Sequence, residues 1–252
     1  MKTKSPIRIK TPEEIVVLRK AGKILSSLIK EVECSLTSGM TTKDIDLKVE
    51  TLILAHQVLP AFKGYRGFPA CACVSVNQEV VHGIPNKRVL KDGDIVSIDV
   101  GIVYQGYYSD TAITVGIGRL DPQVQRLIDV TRQSLYVGIA QAKAGNYLSD
   151  ISHAVQAFVE SHQFSVVRNF VGHGIGQELH EEPEIPNFGP PHQGPLLKEG
   201  MVLAIEPMVN VGAYHTRVLS DGWTVVTEDG KPSAHFEHTV AILASGPEIL
   251  TQ

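Results

Sequence analysis

Cysteine is scarce in this sequence, and its spacing excludes the usual roles of paired cysteines. The 252 residues include three cysteines, Cys34, Cys71 and Cys73, and the last two lie too close together for a CxxC redox or zinc motif. We therefore expect no disulfide framework, and a reducing cytoplasm is the compartment that fits best. Cys34 is expected to be a small buried hydrophobic residue, as free cysteine often is.

Long apolar runs and basic blocks are also missing. No apolar run approaches the roughly 18 residues of a membrane-spanning helix, and the charged segment Met1–Pro6 is not followed by the apolar core of a secretion signal. Lys and Arg number 23 against 27 Asp and Glu, without the basic cluster that indicates nucleic-acid binding. We expect a cytoplasmic globular protein that binds neither membranes nor nucleic acid. With no large apolar patch evident, a monomer is the expected state.

Histidine is what the chain has in excess. Eight of the ten histidines lie between positions 153 and 238. Because histidine is the commonest metal ligand and a frequent acid or base in catalysis, this region is the first place to look for chemistry. The count by itself defines no site.

Helix start signals occur in two similar pairs. Thr11-Pro12-Glu13-Glu14 combines an N-cap threonine, proline at the first helical position and a glutamate that completes a capping box. A second helix is expected from about Thr42, Asp121-Pro122 begins a third, and Ser149 is expected to cap a fourth. Apolar residues follow each signal at helical spacing, so four amphipathic helices are predicted.

The two helix pairs match each other at one offset. Adding 106 to the first set superposes Gly39 on Gly145, Asp44-Ile45 on Asp150-Ile151, and His56-Gln57 on His162-Gln163. Strand-like sequence follows each pair, at 73–115 and then at 166–175 and 201–244. Helices followed by strands, twice over, predict an α+β fold with one antiparallel sheet covered by two pairs of helices. We expect residues 1–252 to form one domain of two halves, about 1–115 and 116–252, with a binding cleft where the halves meet.

Two aspartates lie on a predicted hairpin. The strand-like segments 94–103 and 107–117 flank a turn at Gln105-Gly106, with Asp99 on the first and Asp110 on the second. Depending on the register, the carboxylates are directly opposite, diagonal on one face, or on opposite faces. Like charges on one face destabilise a sheet unless a cation lies between them, and a divalent metal is the simplest one. The alternative is a turn-capping Asp110 and an exposed Asp99, although Asp99 lies in an apolar run where an unpaired carboxylate is costly to bury.

The second half adds an imidazole and two carboxylates. His173 stands between glycines, which alone is typical of a flexible turn, and Glu206 and Glu237 lie in strand-like apolar runs, where a surface-facing glutamate is the ordinary explanation. The combination of four carboxylates and one histidine from both halves suits Mn, Fe, Co or Zn. Because carboxylates can bridge, these five residues are able to hold two metal ions of the kind that activate water in hydrolytic enzymes.

Several further motifs identify a family. They are Val81-His82-Gly83-Ile84-Pro85, Leu90-Lys91-Asp92-Gly93-Asp94-Ile95-Val96, Gly172-His173-Gly174-Ile175-Gly176, His180-Glu181-Glu182-Pro183, Ile205-Glu206-Pro207-Met208 and Asp221-Gly222-Trp223-Thr224. With them the chain resembles the type I methionine aminopeptidases over nearly its whole length. The short separation of His173 and Glu206 resembles type I, because type II members carry a long helical insertion there. The resemblance implies a pseudo-two-fold pita-bread fold and metal-dependent removal of the initiator methionine from nascent chains, with a small second residue preferred.

The resemblance also implies roles for individual residues. A dinuclear centre would be held by Asp99, Asp110, His173, Glu206 and Glu237. Glu206 would move a proton from water to the leaving amine, His82 would contact the substrate and assist proton transfer, and His180 would hydrogen-bond the scissile carbonyl or the developing oxyanion. The methionine side chain would lie against Phe62, Tyr65, Phe68, Cys73, His82, Leu179 and Trp223, since sulfur packs well against rings. The implied partners are the N-termini of nascent chains and, transiently, the ribosome.

Three residues depart from the family pattern near the expected pocket. Phe62 stands where well-known bacterial members have cysteine, Leu179 where they have phenylalanine, and Arg66 where histidine is frequent. The five expected metal ligands are untouched, so these changes concern pocket shape and tolerance for the second residue. Seven other histidines, His235 among them, have no catalytic assignment and are expected at the surface or in the core; only His238, beside Glu237, is considered as a neighbour of a ligand.

Two other classes of protein share this fold. Prolidases and creatinases usually carry an additional N-terminal domain, whereas the first predicted helix here begins near residue 11. Non-catalytic binding modules on this scaffold lose metal ligands, whereas all five ligands and both auxiliary histidines are present. The sequence therefore favours the aminopeptidase.

Overall fold

The helices occur in the two predicted pairs. The structure is a computed structural model that describes residues 6–252. Within these residues the α-helices are α1 (Pro12–Ser35), α2 (Thr42–Ala55), α3 (Pro122–Ile139) and α4 (Leu148–Ser161). A single turn of 3₁₀ helix spans Tyr65–Gly67.

Fifteen strands accompany them in the described part of the chain. The first half has β1 (Leu59–Pro60), β2 (Ala72–Val76), β3 (Glu79–Val81), β4 (Ile95–Tyr104) and β5 (Tyr107–Gly116). The second half has β6 (Ser165–Val166), β7 (Gly172–Gly174), β8 (Glu181–Ile185), β9 (Val202–Ile205), β10 (Met208–Asn210), β11 (Thr216–Val218), β12 (Val225–Thr227), β13 (Ser233–His235), β14 (Glu237–Leu243) and β15 (Gly246–Ile249).

Nine of these strands form one sheet that runs through both halves. Its order is β1-β4-β5-β14-β9-β7-β8, with β2 also paired to β4 and β15 to β14, and every pairing in it is antiparallel. The halves meet where β5 pairs with β14, at Ala112↔Glu237 and Thr111↔His238. The predicted α+β fold with an antiparallel sheet is confirmed.

Most of the predicted helix starts have the expected capping geometry. The Thr11 side chain accepts from the Glu14 amide at 3.3 Å, while the Glu14 carboxylate accepts from the Thr11 amide at 2.7 Å. Asp121 caps α3 through the Gln123 amide at 2.7 Å. The expectation that Ser149 caps α4 is wrong, because the helix begins one residue earlier and Tyr147 is its N-cap. The Ser149 hydroxyl instead accepts a hydrogen bond from the Gln193 amide, which ties the helix start to the following loop.

The offset of 106 residues holds in three dimensions. It relates the full span of α2, Thr42–Ala55, to that of α4, Leu148–Ser161, and it relates β1 to β6. Gly39 and Gly145, which precede these helices, both have φ of 94°, and Gln57 and Gln163, which follow them, have φ of 56° and 65°. The repeat in the sequence is therefore a repeat of one structural unit.

A two-residue turn fixes the register of the β4–β5 hairpin. Gln105 and Gly106 have φ of 50° and 82°, the left-handed values of a type I′ turn, and Tyr104 pairs with Tyr107. Asp99 consequently pairs with Ala112, and Asp110 pairs with Gly101. Of the three open registers, the structure has the one that makes the two aspartates diagonal neighbours on one face.

Each helix pair packs its apolar face on the sheet. Leu25 and Ile45 join Ile98 in the first half, and Leu127 and Ile151 join Ile205 in the second. In the described residues, no helix is both long enough and apolar enough to cross a membrane.

Cys34 lies outside this core. It is exposed near the end of α1, so the expectation of a buried cysteine is wrong. Cys34 is two residues beyond the buried Val32, which is about 200° around a helix and therefore on its outer side.

A steric prediction concerns Gly22 of α1. A Cβ atom at Gly22 would lie 2.2 Å from the Leu250 carbonyl oxygen, a backbone atom that cannot rotate away. We expect Gly22→Ala to lower the free energy of unfolding by about 1–3 kcal/mol because of overpacking, although alanine favours helix. Urea denaturation measures this change in the free energy of unfolding. Ser27→Ala, exposed on the same helix, is the control and should change stability by less than about 0.5 kcal/mol; an equal loss in both variants would contradict the steric explanation.

Candidate metal centre and substrate pocket

All five predicted ligands lie on one face of the central sheet. Asp99 of β4 is opposite Ala112 of β5, and Ala112 is in turn opposite Glu237 of β14. Asp110 is two residues from Ala112 and therefore points to the same side. On the other flank of β14 the register places Glu206, just past β9, beside Glu237. His173 of β7 is opposite Ala204, which shares a face with Glu206. Each half thus contributes to one cluster.

The glycines on either side of His173 have a steric role. A Cβ atom at Gly172 would lie 2.4 Å from the Ala204 carbonyl oxygen, and one at Gly174 would lie 2.3 Å from the Glu182 carbonyl oxygen. The Gly-His-Gly segment is strand β7, which packs closely between β8 and β9. The expectation of a flexible turn from this motif alone is therefore wrong. The close approach holds the imidazole against the carboxylates.

The donor atoms of this cluster have few partners in the protein. Asp110, His173 and Glu237 are buried and offer ligand atoms that lie within 4.8 Å of one another. Asp99 Oδ1, Asp110 Oδ1 and Glu237 Oε1 are buried without a hydrogen-bond partner. Buried anionic oxygens without donors are unfavourable unless a cation satisfies them. Four carboxylates and one imidazole form the oxygen-rich donor set that divalent metals prefer, so the residues fit a metal.

The imidazole of His173 has the orientation of a ligand. Its Nδ1–H donates to the Gly174 carbonyl oxygen at 2.9 Å. Its Nε2 lies 3.6 Å from Glu206 Oε1, on the side of the carboxylates. Burial lowers the pKa of His173 to about 4, so the ring is neutral at pH 7 with a free lone pair on Nε2.

Burial raises the pKa of all four carboxyl groups, and repulsion by neighbouring carboxylates adds to this effect at Asp99, Glu206 and Glu237. Burial raises the pKa of Asp110 to about 7. Burial, followed by the negative charges of Asp110 and Glu206, raises the pKa of Asp99. The pKa values of Glu206 and Glu237 are raised by burial and by neighbouring carboxylates in the same way. Without a cation the cluster retains protons that a bound metal displaces.

An apolar pocket adjoins the cluster in one cavity. The cavity has a volume of about 250 Å³ and is lined by all five predicted ligands together with every predicted pocket residue: Phe62, Tyr65, Phe68, Cys73, His82, Leu179 and Trp223. Gly101 lets the Phe62 ring pack closely on β4, because a Cβ atom there would lie 2.7 Å from that ring. Burial, and then the charge of Asp99, raises the pKa of Cys73 well above its ordinary value, so this side chain lines the pocket as a neutral thiol.

The two auxiliary histidines are held at the cavity by aromatic neighbours. The Tyr65 hydroxyl lies 2.8 Å from His180 Nδ1, and the two rings stack. His82 has a φ of 59°, a left-handed value that a histidine rarely adopts and that is often found at functional sites. Its ring makes edge-to-face contacts with Phe170 and Trp223, at centroid distances of 5.7 and 6.3 Å.

The structure corrects two assignments and adds a pocket residue. His238 Nδ1 lies 2.9 Å from Thr251 Oγ1, on the other face of β14, so it does not adjoin the ligands. His235 does: it is buried, and its Nε2 lies 3.5 Å from Glu206 Oε2. His235 precedes Glu237 by two residues, and the alternation of strand side chains is the signal that points to it. Phe170 also lines the cavity, and nothing in the sequence pattern indicates it.

The fold and this buried donor set are those of a metallopeptidase. Residues 17–244 match metallopeptidase family M24. A methionine aminopeptidase of Bacillus subtilis is 53% identical over 243 residues, which are 96% of this chain and 98% of that protein. One of Clostridium perfringens is 53% identical over 97% of this chain and 98% of that protein. The chain belongs to family M24 and, within it, to the methionine aminopeptidases.

Solved structures agree with this assignment. The crystal structure of a methionine aminopeptidase from Thermotoga maritima is 50% identical, with a TM-score of 0.96 over 98% of this chain and all of that one. A prolidase from Pyrococcus furiosus has a TM-score of 0.79 at 24% identity over 97% of this chain and 65% of its own, which shows the shared fold alone. The predicted pita-bread fold is confirmed, and so is the prediction that the protein is an aminopeptidase that depends on divalent metal.

The raised pKa of Asp110 predicts a pH-dependent effect in the metal-free protein. A carboxyl group whose pKa rises from 3.8 to about 7 on folding contributes stability below pH 3.8 that is lost as pH rises toward 7. Buried histidines with lowered pKa act oppositely in this range, so the prediction concerns the difference between two proteins. We expect Asp110→Asn to gain stability relative to the unsubstituted protein from pH 4 to 7, by at most about 1.4 kcal/mol per pH unit.

Urea denaturation in the presence of chelator measures that difference. Added Mn²⁺ should stabilise the unsubstituted protein and have little effect on Asp110→Asn, since only the former retains the full donor set. A difference that does not change with pH would show that Asp110 is ionised in the metal-free protein.

Proposed function

We propose that this enzyme removes the initiator methionine from nascent chains and prefers a small second residue. The observation that carries the proposal is the single cavity in which the donor cluster and the aromatic pocket adjoin. A thioether side chain suits the pocket, because sulfur packs favourably against rings. With metal ions held at the cluster, the free α-amino group of the substrate would take an open coordination position, which favours an N-terminal methionine over an internal one. The donor atoms are buried, and a small second residue allows the scissile bond to reach them.

Two divalent ions, of Mn, Fe, Co or Zn, are proposed to be held by Asp99, Asp110, His173, Glu206 and Glu237. When bound, they supply an acidified water and a Lewis acid for the scissile carbonyl. The number of carboxylates supports two ions, because carboxylates can bridge and five such residues are enough to hold a pair of ions.

The protein's own groups manage protons and charge. Glu206 takes the proton of the attacking water and delivers it to the leaving amine. His180, with its Nδ1 held by the Tyr65 hydroxyl, donates from Nε2–H to the scissile carbonyl as negative charge develops on its oxygen. Burial lowers the pKa of His82, so this ring is neutral and contacts the substrate as a hydrogen-bonding group. His235 Nε2 has no hydrogen-bond partner in the structure and lies 3.5 Å from Glu206 Oε2, so it is placed to orient that carboxylate.

The cellular setting is part of the proposal. Residues 1–252 act as one catalytic domain, supported by the sheet that both halves build. The enzyme works in the cytoplasm as a monomer, meets nascent-chain N-termini during transient contact with the ribosome, and has no nucleic-acid-binding or membrane-binding activity of its own. The absence of a basic cluster in the sequence supports the lack of nucleic-acid binding.

A peptide assay tests the activity. With Mn²⁺ or Co²⁺ the protein should release methionine from Met-Ala-Ser, chelation should stop it, and an Xaa-Pro dipeptide should remain intact. Asp110→Asn should lose at least about 100-fold in turnover through the loss of a ligand, with an unchanged circular dichroism spectrum. Failure to release methionine would contradict the proposed function, cleavage of Xaa-Pro would indicate a prolidase, and an active Asp110→Asn would contradict the ligand assignment.

Truncation of Phe68 tests the pocket. Phe68 is buried and meets Trp223 edge to face at 5.1 Å. We expect Phe68→Ala to lower kcat/KM for Met-Ala-Ser at least about tenfold, which corresponds to about 1.4 kcal/mol of lost contact. Phe158→Ala on α4, whose ring packs against His162, is the control and should keep the kcat/KM of the unsubstituted enzyme. Equal losses in both variants would show that the effect comes from stability and not from the pocket.

A further inference from the structure

A buried ion pair lies beside the loop that carries His180. Lys10 Nζ lies 2.7 Å from Glu181 Oε2, and each side chain is only 4% exposed. Lys10 belongs to the segment before α1, whereas Glu181 begins β8 and is the chain neighbour of His180. The pair therefore joins two parts of the chain that are 171 residues apart.

The Glu181 carboxylate organises the loop that precedes it. Its Oε1 accepts from the Gln177 amide at 2.9 Å and from the Glu178 amide at 3.3 Å. Gly176 lies against the pair, because a Cβ atom there would be 2.6 Å from Lys10 Cε and 2.8 Å from Glu181 Oε1. The loop of residues 176–181 thus folds around one carboxylate that Lys10 holds.

The same loop supplies two residues of the cavity. Leu179 is 2% exposed and lines the apolar pocket, and His180 lines the cavity with its Nδ1 at 2.8 Å from the Tyr65 hydroxyl. The other end of the tether is also fixed, since the Lys10 amide donates to the Gly200 carbonyl oxygen at 2.7 Å. Lys10 itself does not line the cavity.

We propose that Lys10 is a positioning residue: through Glu181 it fixes the loop of residues 176–181, so that His180 and Leu179 meet the substrate in the productive geometry. The proposal rests on the proposed function, in which His180 stabilises charge on the scissile carbonyl. A displacement of about 1 Å in such a group can cost about 100-fold in rate. Of the predicted pocket residues only Leu179 lies on this loop, so most contacts to the methionine side chain do not depend on the tether and the effect belongs mainly to kcat.

The test compares Lys10→Met with a control variant of a second ion pair. Arg19 pairs with Glu248 at 2.6 Å and joins α1 to β15 without touching the loop. In Lys10→Met we expect kcat for Met-Ala-Ser to fall about 10–100-fold with KM changed less than about threefold. Amide hydrogen exchange in residues 176–181 should accelerate while the central strands stay protected. Lys10→Arg should recover part of kcat, and Arg19→Met should keep the kcat of the unsubstituted enzyme.

A second variant separates positioning from simple stability. Loss of one partner from a buried pair is strongly destabilising, whereas neutralising both partners is often tolerated. The double variant Lys10→Met with Glu181→Gln should therefore regain stability and still have a low kcat, because the tether is missing. If kcat returns together with stability, or if Lys10→Met turns over and exchanges like the unsubstituted enzyme, the proposal is wrong. An equal loss of kcat in Arg19→Met would also overturn it.

The two proposals fail in different ways. If neither the unsubstituted enzyme nor the Arg19→Met variant releases methionine, the proposed function is wrong. An active unsubstituted enzyme together with a fully active Lys10→Met would reject only the role of Lys10. The hydrogen-exchange measurement needs no turnover and tests the tether in either case.

Discussion

Repulsion among four buried carboxylates is the constraint that the rest of this structure satisfies. Asp99, Asp110, Glu206 and Glu237 are brought out of water onto one face of a sheet, and burial raises the pKa of each. Such a cluster opposes folding unless protons or cations neutralise it. The apolar packing of four helices on the sheet holds the strands in place against this repulsion.

Hydrogen bonds from threonines hold the backbone of two predicted ligands, Asp110 and Glu237, where the two halves meet. The Thr239 hydroxyl accepts from the Asp110 amide at 3.0 Å and donates to the Asp110 carbonyl oxygen at 2.8 Å. The Thr111 hydroxyl donates to the Glu237 carbonyl oxygen at 2.7 Å. Because these bonds cross from β5 to β14, the predicted ligands of one half are aligned on the strands of the other. The repeated unit therefore builds a site that neither copy contains alone.

Local rules predicted the parts of the fold that depend on neighbouring residues. The capping box at Thr11, the proline start of α3 and the turn at Gln105-Gly106 are set by contacts within a few residues, and the structure has all three. Ser149 is not the N-cap of α4, because the helix begins at Leu148 and the Asp150 carboxylate accepts the hydrogen bond of the Tyr147 amide at the N-cap. Cys34 was misplaced because composition gives the usual burial of a residue type and not the side of the helix on which it lies. The resemblance to a family supplied the ligand and pocket residues, and the structure gathers every one of them around one cavity.

The sequence by itself determined the helix pairs, their repeat at 106 residues and the α+β class, and its resemblance to a family pointed to the expected ligand and pocket residues. Only the tertiary structure decided which strands are neighbours, and with that the partners that come from far along the chain. His235 rather than His238 faces Glu206 because the strands keep one register on both sides of Phe236, with Met208 opposite His235 and Ile205 opposite His238, so alternation places His235 on the face of Glu206 and His238 on the other face. Lys10 reaches Glu181 because the segment before α1 is fixed to Gly200. Periodicity and capping act over one or two turns of chain, whereas these contacts depend on the packing of whole strands, which local sequence does not encode.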